Sequence, residues 1–283
     1  MTLNRRWAIA AFLLGVLCSA NASALEWDVF RVCADPNSLP LSNKNQEGYE
    51  NRIADILAAD LGVPVEYTWF PQRRGFIRHT LREPAPDRDG YKCDVVMGVP
   101  DGFELVITTE PYYRSTYAMV FRKDQEGLQN VETAKDFLAL DDSVKKGLRI
   151  GIFDQTPAAA WLSRYGLIKQ MVPFPTMSGD PAEYPGQIIE RELVNGNIDV
   201  AMLWGPIAGY FVHRLEGRVP LKMVPMRSES GIRFDFAISM GVRFGDGERK
   251  RALEELLARN SDKIEAVLKE YYVPLVSADG SIL

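Results

Sequence analysis

Short apolar runs alternate with helical stripes along this chain, and the alternation is played twice. Lys92-Cys93-Asp94-Val95-Val96-Met97-Gly98 and Asn197-Ile198-Asp199-Val200-Ala201-Met202-Leu203 both read small or polar, then Asp-Val-x-Met, with Pro100 and Pro206 soon after. Upstream, Phe30-Arg31-Val32-Cys33-Ala34-Asp35-Pro36 is echoed by Leu148-Arg149-Ile150-Gly151-Ile152-Phe153-Asp154. Apolar runs of this length between amphipathic stretches predict βα units and a largely parallel sheet. Two sets predict two α/β lobes, with ligands bound in the crevice between them.

Individual elements follow from the same periodicity. Ile53, Ile56, Leu57 and Leu61 make the apolar stripe of a helix from Glu50 to Leu61, stopped by Gly62. Val63 to Trp69 reads as the next strand, Gln72 to Leu81 as a helix, and Glu83 to Gly90, with Pro84 and Pro86, as a surface loop. Tyr117 to Phe121 is a strand without a helix of its own, suited to cross into a second lobe. That lobe opens with a helix at Val131–Leu140 and a strand at Leu148–Phe153. Thr156 and Pro157 then suit the cap and first position of a helix that carries Trp161, Leu162 and Tyr165 to a stop at Gly166. Gln187 to Val194, closed by Gly196, precedes the second Asp-Val-x-Met strand. Phe234 to Val242 is again a bare strand and predicts the return crossing. Two helices finish the chain, the last with Ile264, Val267, Leu268 and Tyr271 behind Ser261 as cap. They are expected to pack on the first lobe. The resulting division is 25–119 for the first lobe, 120–237 for the second, and 238–283 for the return to the first. Hinge motion is expected near Ala118 to Phe121 and Phe236 to Met240.

The first residues do not belong to this pattern. Arg5 and Arg6 precede an apolar run from Trp7 to Leu17, and Ala22-Ser23-Ala24 offers a small-x-small cleavage pattern. Residues 1–24 therefore read as a secretory signal peptide, too short for a stable membrane span. No later stretch is apolar enough to cross a bilayer, which predicts a protein free in an exported compartment, a bacterial periplasm. Cys18 follows Leu17 instead of a small residue, so no lipid anchor is expected, and the arginine pair lacks a twin-arginine pattern.

At 283 residues, with 46% hydrophobic and 25% charged positions, the chain can bury a core in each of two modest domains. Its net charge of −5 becomes −7 once Arg5 and Arg6 are removed with the leader. That charge argues against nucleic acid and anionic membranes as partners, and suits a basic one. Cys33 and Cys93 remain after cleavage. An oxidising compartment favours a bridge between them. Strand geometry opposes it: Cys33 lies late in its strand and Cys93 before the start of its neighbour. At about 3.3 Å per residue, an offset of a few residues exceeds the ~7 Å Cα limit, a gap that a distorted strand entry would close. The sequence leaves the pair open.

Chemistry is constrained by what is missing. His79 and His213 are the only histidines and sit on unrelated elements, which excludes a multi-histidine metal site and disfavours a Ser-His-Asp arrangement. There is no Cys-x-x-Cys-His, no Cys-x-x-Cys redox pair and no glycine-rich phosphate loop. Asp94 and Asp199 are strand-start residues, better explained by turn hydrogen bonds than by catalysis.

The order of elements, with two crossings, resembles the type II periplasmic solute-binding protein fold over essentially the whole mature chain. Six phrases are more particular: Arg31 to Asn37, Gly48-Tyr49-Glu50-Asn51-Arg52-Ile53-Ala54, Trp69 to Phe76, Cys93 to Pro100, Pro111-Tyr112-Tyr113-Arg114-Ser115, and Glu270-Tyr271-Tyr272-Val273-Pro274-Leu275. In this order they resemble the subfamily associated with quinoprotein methanol dehydrogenases, the MoxJ/XoxJ type. The loop at Glu83–Lys92 is longer than that family's usual connection.

Amino-acid-binding members of the fold hold the ligand carboxylate with an arginine of the first lobe and its ammonium with an aspartate of the second. A zwitterion leaves water only if both charges are met. Here Gly102 or Phe103 falls where the arginine would be, and Trp204 where the aspartate would be. The resemblance therefore implies a cleft without the zwitterion clamp. Its expected walls are Trp69, Phe103, Tyr112, Tyr113, Trp204 and Tyr210, with Gln72, Arg73, Arg74 and Arg114 nearby and Gln155 and Thr156 at a helix start. Aromatics interleaved with arginine are what protein interfaces use as anchors. Plainer roles compete at each position: Trp69 and Trp204 as core, Tyr112 and Tyr113 as hinge packing, Arg73 and Arg74 as solvated charge, Thr156 as a cap.

What the resemblance implies is a non-catalytic periplasmic accessory protein, without a cofactor of its own, that helps mature or activate a PQQ-dependent methanol or other alcohol dehydrogenase. That enzyme's c-type cytochrome is a further candidate partner, and a monomer is expected. The competing expectation is a transport receptor for an uncharged or aromatic small molecule. An enzyme of the prephenate- or arogenate-dehydratase kind ranks behind both, because no acid is poised over an anionic substrate.

Overall fold

The computed structural model describes Leu25, residues 27–178 and residues 180–283. The leader expected at 1–24 lies outside the described residues. The first lobe begins with β1 (Phe30–Ala34) and a small hairpin, β2 (Asn37–Ser38) and β3 (Ser42–Asn43). Helix α1 (Tyr49–Leu61) follows, stopped by Gly62 in the left-handed conformation, as its apolar stripe predicts. Next come β4 (Val65–Trp69), a single helical turn α2 (Phe76–His79), β5 (Val95–Pro100), the short β6 (Ile107–Thr108) and the long β7 (Tyr113–Arg122).

The second lobe holds α3 (Ala134–Leu138), α4 (Asp142–Gly147), β8 (Ile150–Phe153), α5 (Pro157–Arg164), β9 (Met171–Phe174) and a π-helical turn over Ile188–Leu193. It continues through β10 (Val200–Trp204), α6 (Gly205–Arg214) and β11 (Leu221–Pro225). Strand β12 (Asp235–Val242) returns, and α7 (Gly247–Arg259) and α8 (Ser261–Glu270) pack on the first lobe.

One sheet runs through both lobes in the order β4-β1-β5-β12-β7-β10-β8-β9. The repeated phrases are its two parallel ladders: Val32 faces Val95, and Ile150 faces Val200. Each repeated aspartate ties the start of its strand to the arginine of the neighbour. The Asp94 N–H donates to the Arg31 carbonyl and the Asp199 N–H to that of Arg149. Asp199 also accepts from the Arg149 guanidinium at 2.9 Å, and Asp94 from Arg243 at 2.7 Å. The turn bonds expected of these acids are thus joined by ion pairs.

Period two along β7 and β10 divides the second core. Met119, Phe121, Val200 and Met202 meet Trp161 and Phe137 on one face, while Ala118, Val120, Ala201 and Leu203 meet Phe211 and Ile189 on the other.

Several expectations need correction. The helix expected over Gln72–Leu81 shrinks to one turn. Gly75 is left-handed (φ 92°) immediately before it, and the Gln72 N–H is held by Asp35. Thr156 takes the N-cap position of α5 as expected, but its side chain bonds no helical N–H; its hydroxyl donates to the Phe153 carbonyl at 2.7 Å. Pro157 does open that helix. α8 begins directly after Asn260, whose amide donates to Leu256, so Ser261 is its first residue and not its cap. The hinge expected at Ala118–Phe121 is inside the second lobe's part of the sheet, paired with β10 on one side and β11 on the other. The crossing lies earlier, where Tyr113–Thr116 pairs with Ile238–Asp235.

Cys33 and Cys93 are bridged, with Cα atoms 5.4 Å apart. The rise-per-residue objection fails because Cys93 is not on the strand axis. The chain bends at Asp94, and its approach is fixed from the side by the Thr68 hydroxyl on the Lys92 carbonyl (2.8 Å).

A third connection joins the lobes. After α8 the chain runs back along β7, with the Ser115 hydroxyl on the Pro274 carbonyl (2.8 Å) and the Val276 N–H on the Arg114 carbonyl (3.0 Å). α6 lies against this strap, and a β-carbon at Gly209 would stand 1.9 Å from the Tyr272 carbonyl oxygen. Gly209→Ala is therefore expected to destabilise the protein by about 2 kcal/mol, since backbone clash outweighs the ~1 kcal/mol of helix propensity that alanine adds. Urea unfolding checks this, and a stabilised variant would mean that the strap yields freely.

Candidate functional site

The loops at the C-terminal ends of the parallel strands face each other across the crossing, and a cavity of roughly 580 Å³ lies between them. From the first lobe, the turn after β1 brings Asp35 to Ser38, and the link after β4 brings Pro71, Gln72 and Arg73. From the second, Phe153 ends β8, Phe174 ends β9, and residues of Pro175–Ser178 and Asp180–Glu192 form the far wall.

Asp35 organises the near wall. Its carboxylate accepts the N–H of Asn37 at 2.8 Å and that of Gln72 at 2.5 Å, so one side chain fixes both first-lobe loops. Asn37 in turn donates its amide to the Pro181 carbonyl of the second lobe at 2.9 Å. On the far wall, Asp180 caps the Ala182 N–H (2.8 Å) and Glu192 takes the Asn197 amide (3.0 Å). The Tyr184 hydroxyl donates to Glu190, and its ring stacks on Phe211. Partial burial, with the Glu190 carboxylate beside it, pushes the Tyr184 phenol up to about 12. Pro36, Pro71, Pro175, Pro181 and Pro185 stand round the rim. Proline fixes φ and brings no N–H, so these five positions stiffen the rim without backbone donors, while Gln72, Arg73, Gln187 and Arg191 put side-chain donors on the walls.

Of the residues expected in the cleft, Gln72 and Arg73 line this cavity, and Arg74 is exposed on the same link. The others are placed elsewhere. Trp69 stacks on Tyr67, ring centroids 4.6 Å apart, against the first core. Phe103 is half-buried on the small core beneath β1 and β5. Tyr112 donates to the Met97 carbonyl (3.1 Å), and Tyr113 shares a hydrogen bond with Tyr49 (3.0 Å). Burial raises all three of these phenols well above their ordinary range. Arg114 pairs with Asp235 at 2.6 Å across the crossing. Trp204 packs edge-on to Tyr117 and Phe236 at the same place, and Tyr210 stacks on Tyr271 of the strap. Gln155 is exposed with φ 61°, and Thr156 bonds back to its own strand.

At the positions expected for an amino-acid clamp stand the left-handed turn of Gly102 and the packed ring of Trp204. The rings that do face the cavity, Phe153, Phe174 and Tyr184, were not among the expected ones. Their signal in the sequence is the run of prolines at 173, 175, 181 and 185, which marks a loop beside the ends of these strands. Among the described residues no group of acids, histidines and cysteines could hold a metal, and no helix is long and apolar enough to cross a membrane.

No protein-family model matches the chain. Among solved structures, the crystal structure of the periplasmic binding protein XoxJ from Methylobacterium extorquens AM1 aligns at 33% identity and TM-score 0.68, covering 88% of this chain and 99% of that one. The chain belongs to this family. The structure of MxaJ from Methlophaga aminisulfidivorans MPT aligns at 28% identity and TM-score 0.70, over 87% of this chain and all of that one. Protein MoxJ of Paracoccus denitrificans is 28% identical over 285 residues, 92% of this chain and 96% of its own. The fold is thus the type II periplasmic binding fold, and the chain is a MoxJ/XoxJ-type binding protein associated with methanol oxidation.

Proposed function

We propose that this MoxJ/XoxJ-type protein is a non-catalytic periplasmic accessory of a PQQ-dependent methanol or alcohol dehydrogenase. It grips an extended segment of that enzyme in the inter-lobe cavity and assists its maturation or activation, acting as a monomer, with the c-type cytochrome as a further candidate partner. The observation that carries this is the cavity wall. Five prolines and the rings of Phe153, Phe174 and Tyr184 surround it, while Asp35, Asp180 and Glu192 are committed to neighbouring N–H groups. Walls that mix proline and aromatic rings with scattered polar side chains such as Gln72, Arg73, Gln187 and Arg191 suit an extended polypeptide better than a free zwitterion.

One observation favours a second reading, a receptor for a small uncharged or aromatic solute: roughly 580 Å³ is within the ordinary size of small-molecule pockets.

Purified mature protein is expected to retain apo-dehydrogenase in a pull-down. The double variant Phe174→Ala/Tyr184→Ala is expected to weaken that binding at least about tenfold, the loss of one or two aromatic anchors. Stabilisation by several degrees with small aromatic solutes, without any dehydrogenase binding, would transfer the assignment to the receptor.

A further inference from the structure

In the second lobe, β11 is paired along one side alone, with Leu221 opposite Arg122 of β7 and Pro225 opposite Ala118. At its ends the Lys123 N–H donates to the Pro220 carbonyl and the Met226 N–H to the Tyr117 carbonyl, each at 2.7 Å. Antiparallel ladders alternate, so the even-numbered residues of β11 turn their backbone groups to β7 and the odd-numbered ones turn theirs away. The N–H and C=O of Leu221 and Met223 therefore point outward, and among the described residues no hydrogen bond reaches them. Pro225, the next outward position, ends the row of donors.

Hollows flank this edge on both faces of the sheet. Leu221 and Met223 belong to the core under α6, and on that face a hollow of roughly 370 Å³ is lined by Val212, Val219 and the stacked rings of His213 and Tyr272. Lys222 opposes Phe121, which packs with Phe137 of α3 on the other face. There a hollow of roughly 480 Å³ is lined by Lys123, Gln129, Glu132 and Lys222. A lysine at the centre of an edge strand ordinarily wards off pairing. Here the Lys222 ammonium is tied to Glu132. The lobe's other edge is different. On β9 the Asp154 N–H bonds the Phe174 carbonyl, so position 173 faces outward, and it is a proline without a donor.

Open main-chain groups define their own complement, another extended main chain. A strand laid along β11 keeps the period of the sheet. Its residues opposite Leu221 and Met223 enter the hollow beside α6, which is largely apolar, and those opposite Lys222 enter the polar one. We propose that β11 is a strand-addition site for a short extended segment of a partner polypeptide in which apolar and polar residues alternate. The edge is already fixed at both ends by the bonds at Lys123 and Met226, so little ordering is lost on binding. The site shares no residue with the inter-lobe cavity and does not depend on the function proposed above.

The test measures fluorescence anisotropy of a labelled peptide in which valine alternates with threonine, titrated with the mature protein. A peptide of the same composition with its valines grouped is the comparison. The decisive variant is Met223→Pro. β7 does not use the Met223 N–H, and Pro225 already stands in the same register, so the ladder is kept while the outer edge loses a donor and gains a ring. Support is binding of the alternating peptide that weakens at least about tenfold in Met223→Pro and changes less than about threefold in Met223→Val and in the cavity variant Phe174→Ala/Tyr184→Ala. The grouped peptide is expected to bind at least about tenfold more weakly. Hydrogen exchange on the wild type needs no variant: the amides of Leu221 and Met223 are expected to slow when the alternating peptide is bound. Absence of binding, equal binding of the two peptides, or binding that leaves both amides unprotected overturns the site. Loss confined to the cavity variant overturns it too, because the peptide then lies between the lobes.

Discussion

Replacing Cys33 and Cys93 together by alanine is expected to lower the thermal midpoint of the mature protein by about 10 °C. The bridge closes a loop with a sequence separation of 60. Loop-closure entropy for that length is about 4 kcal/mol, and a chain of this size shifts by about 2–4 °C for each kcal/mol. Both cysteines are fully within the small core beneath β1 and β5, alongside Phe76, Ile77 and Leu81. The lost sulfurs therefore also leave a void, which adds to the entropic loss. The effect is expected to concentrate on the Glu83–Lys92 loop, whose root the bridge holds, so hydrogen exchange should rise there first. Circular dichroism melts of the variant, and of the wild type with reductant, check the magnitude. A shift below about 3 °C would mean that Thr68 on Lys92 and Arg243 on Cys93 hold the strand start without covalent help.

The same bend at Asp94 that makes the bridge possible explains why it was illegible in the sequence. Periodicity reports where a strand runs, and Val95 is where this one starts. It does not report the direction from which the chain arrives. The ladders themselves were legible because Asp-Val-x-Met repeats a pattern with a physical cause: an acid that ties one strand start to the arginine of the next. Helices with a long apolar stripe, such as α1 and α8, were legible for the same reason. The one-turn α2 was not, since Gly75 and the Asp35 bond to Gln72 act against the local pattern.

The cavity was the least legible part. Trp69, Trp204, Tyr112 and Tyr113 stood out by residue type, but type does not decide which way a ring faces. At the crossing, two strands and the strap converge, and that convergence demands large side chains for packing; Trp204 meets Tyr117 and Phe236 there. The actual walls come from loops, where position is set by single polar contacts such as Asn37 to Pro181, across 144 residues of sequence.

Glu50 makes stability fall as pH rises, an unusual direction for a carboxylate. It sits in the first turn of α1, 7% exposed, and its Oε1 has no hydrogen-bond partner. The oxygen lies where a β-carbon at Gly98 would come within 2.2 Å, so no water-sized space is left on that side. Burial, and then the charge of Asp35, push the carboxyl from 4.5 up to about 8. The helix N-terminus favours the anion, by at most about 2 kcal/mol, and is outweighed. The unfolded chain releases this proton near 4.5, whereas the folded protein keeps it until about 8. Between those values the native state binds the extra proton, and its stability drops by about 1.4 kcal/mol per pH unit, on the order of 5 kcal/mol in all. Above the folded value the loss is complete and the curve levels. The neighbouring phenols Tyr49, Tyr112 and Tyr113 stay protonated throughout this window, because burial raises each of them. Glu50→Gln keeps the shape and removes the titration. Any cost of its new amide is the same at every pH, so the readout is the difference in slope. Urea unfolding at pH 5, 6.5, 8 and 9 is expected to show the variant gaining several kcal/mol on the wild type as pH rises. Parallel curves would mean that Glu50 titrates as an ordinary solvated acid, and that the contact with Gly98 opens readily to water.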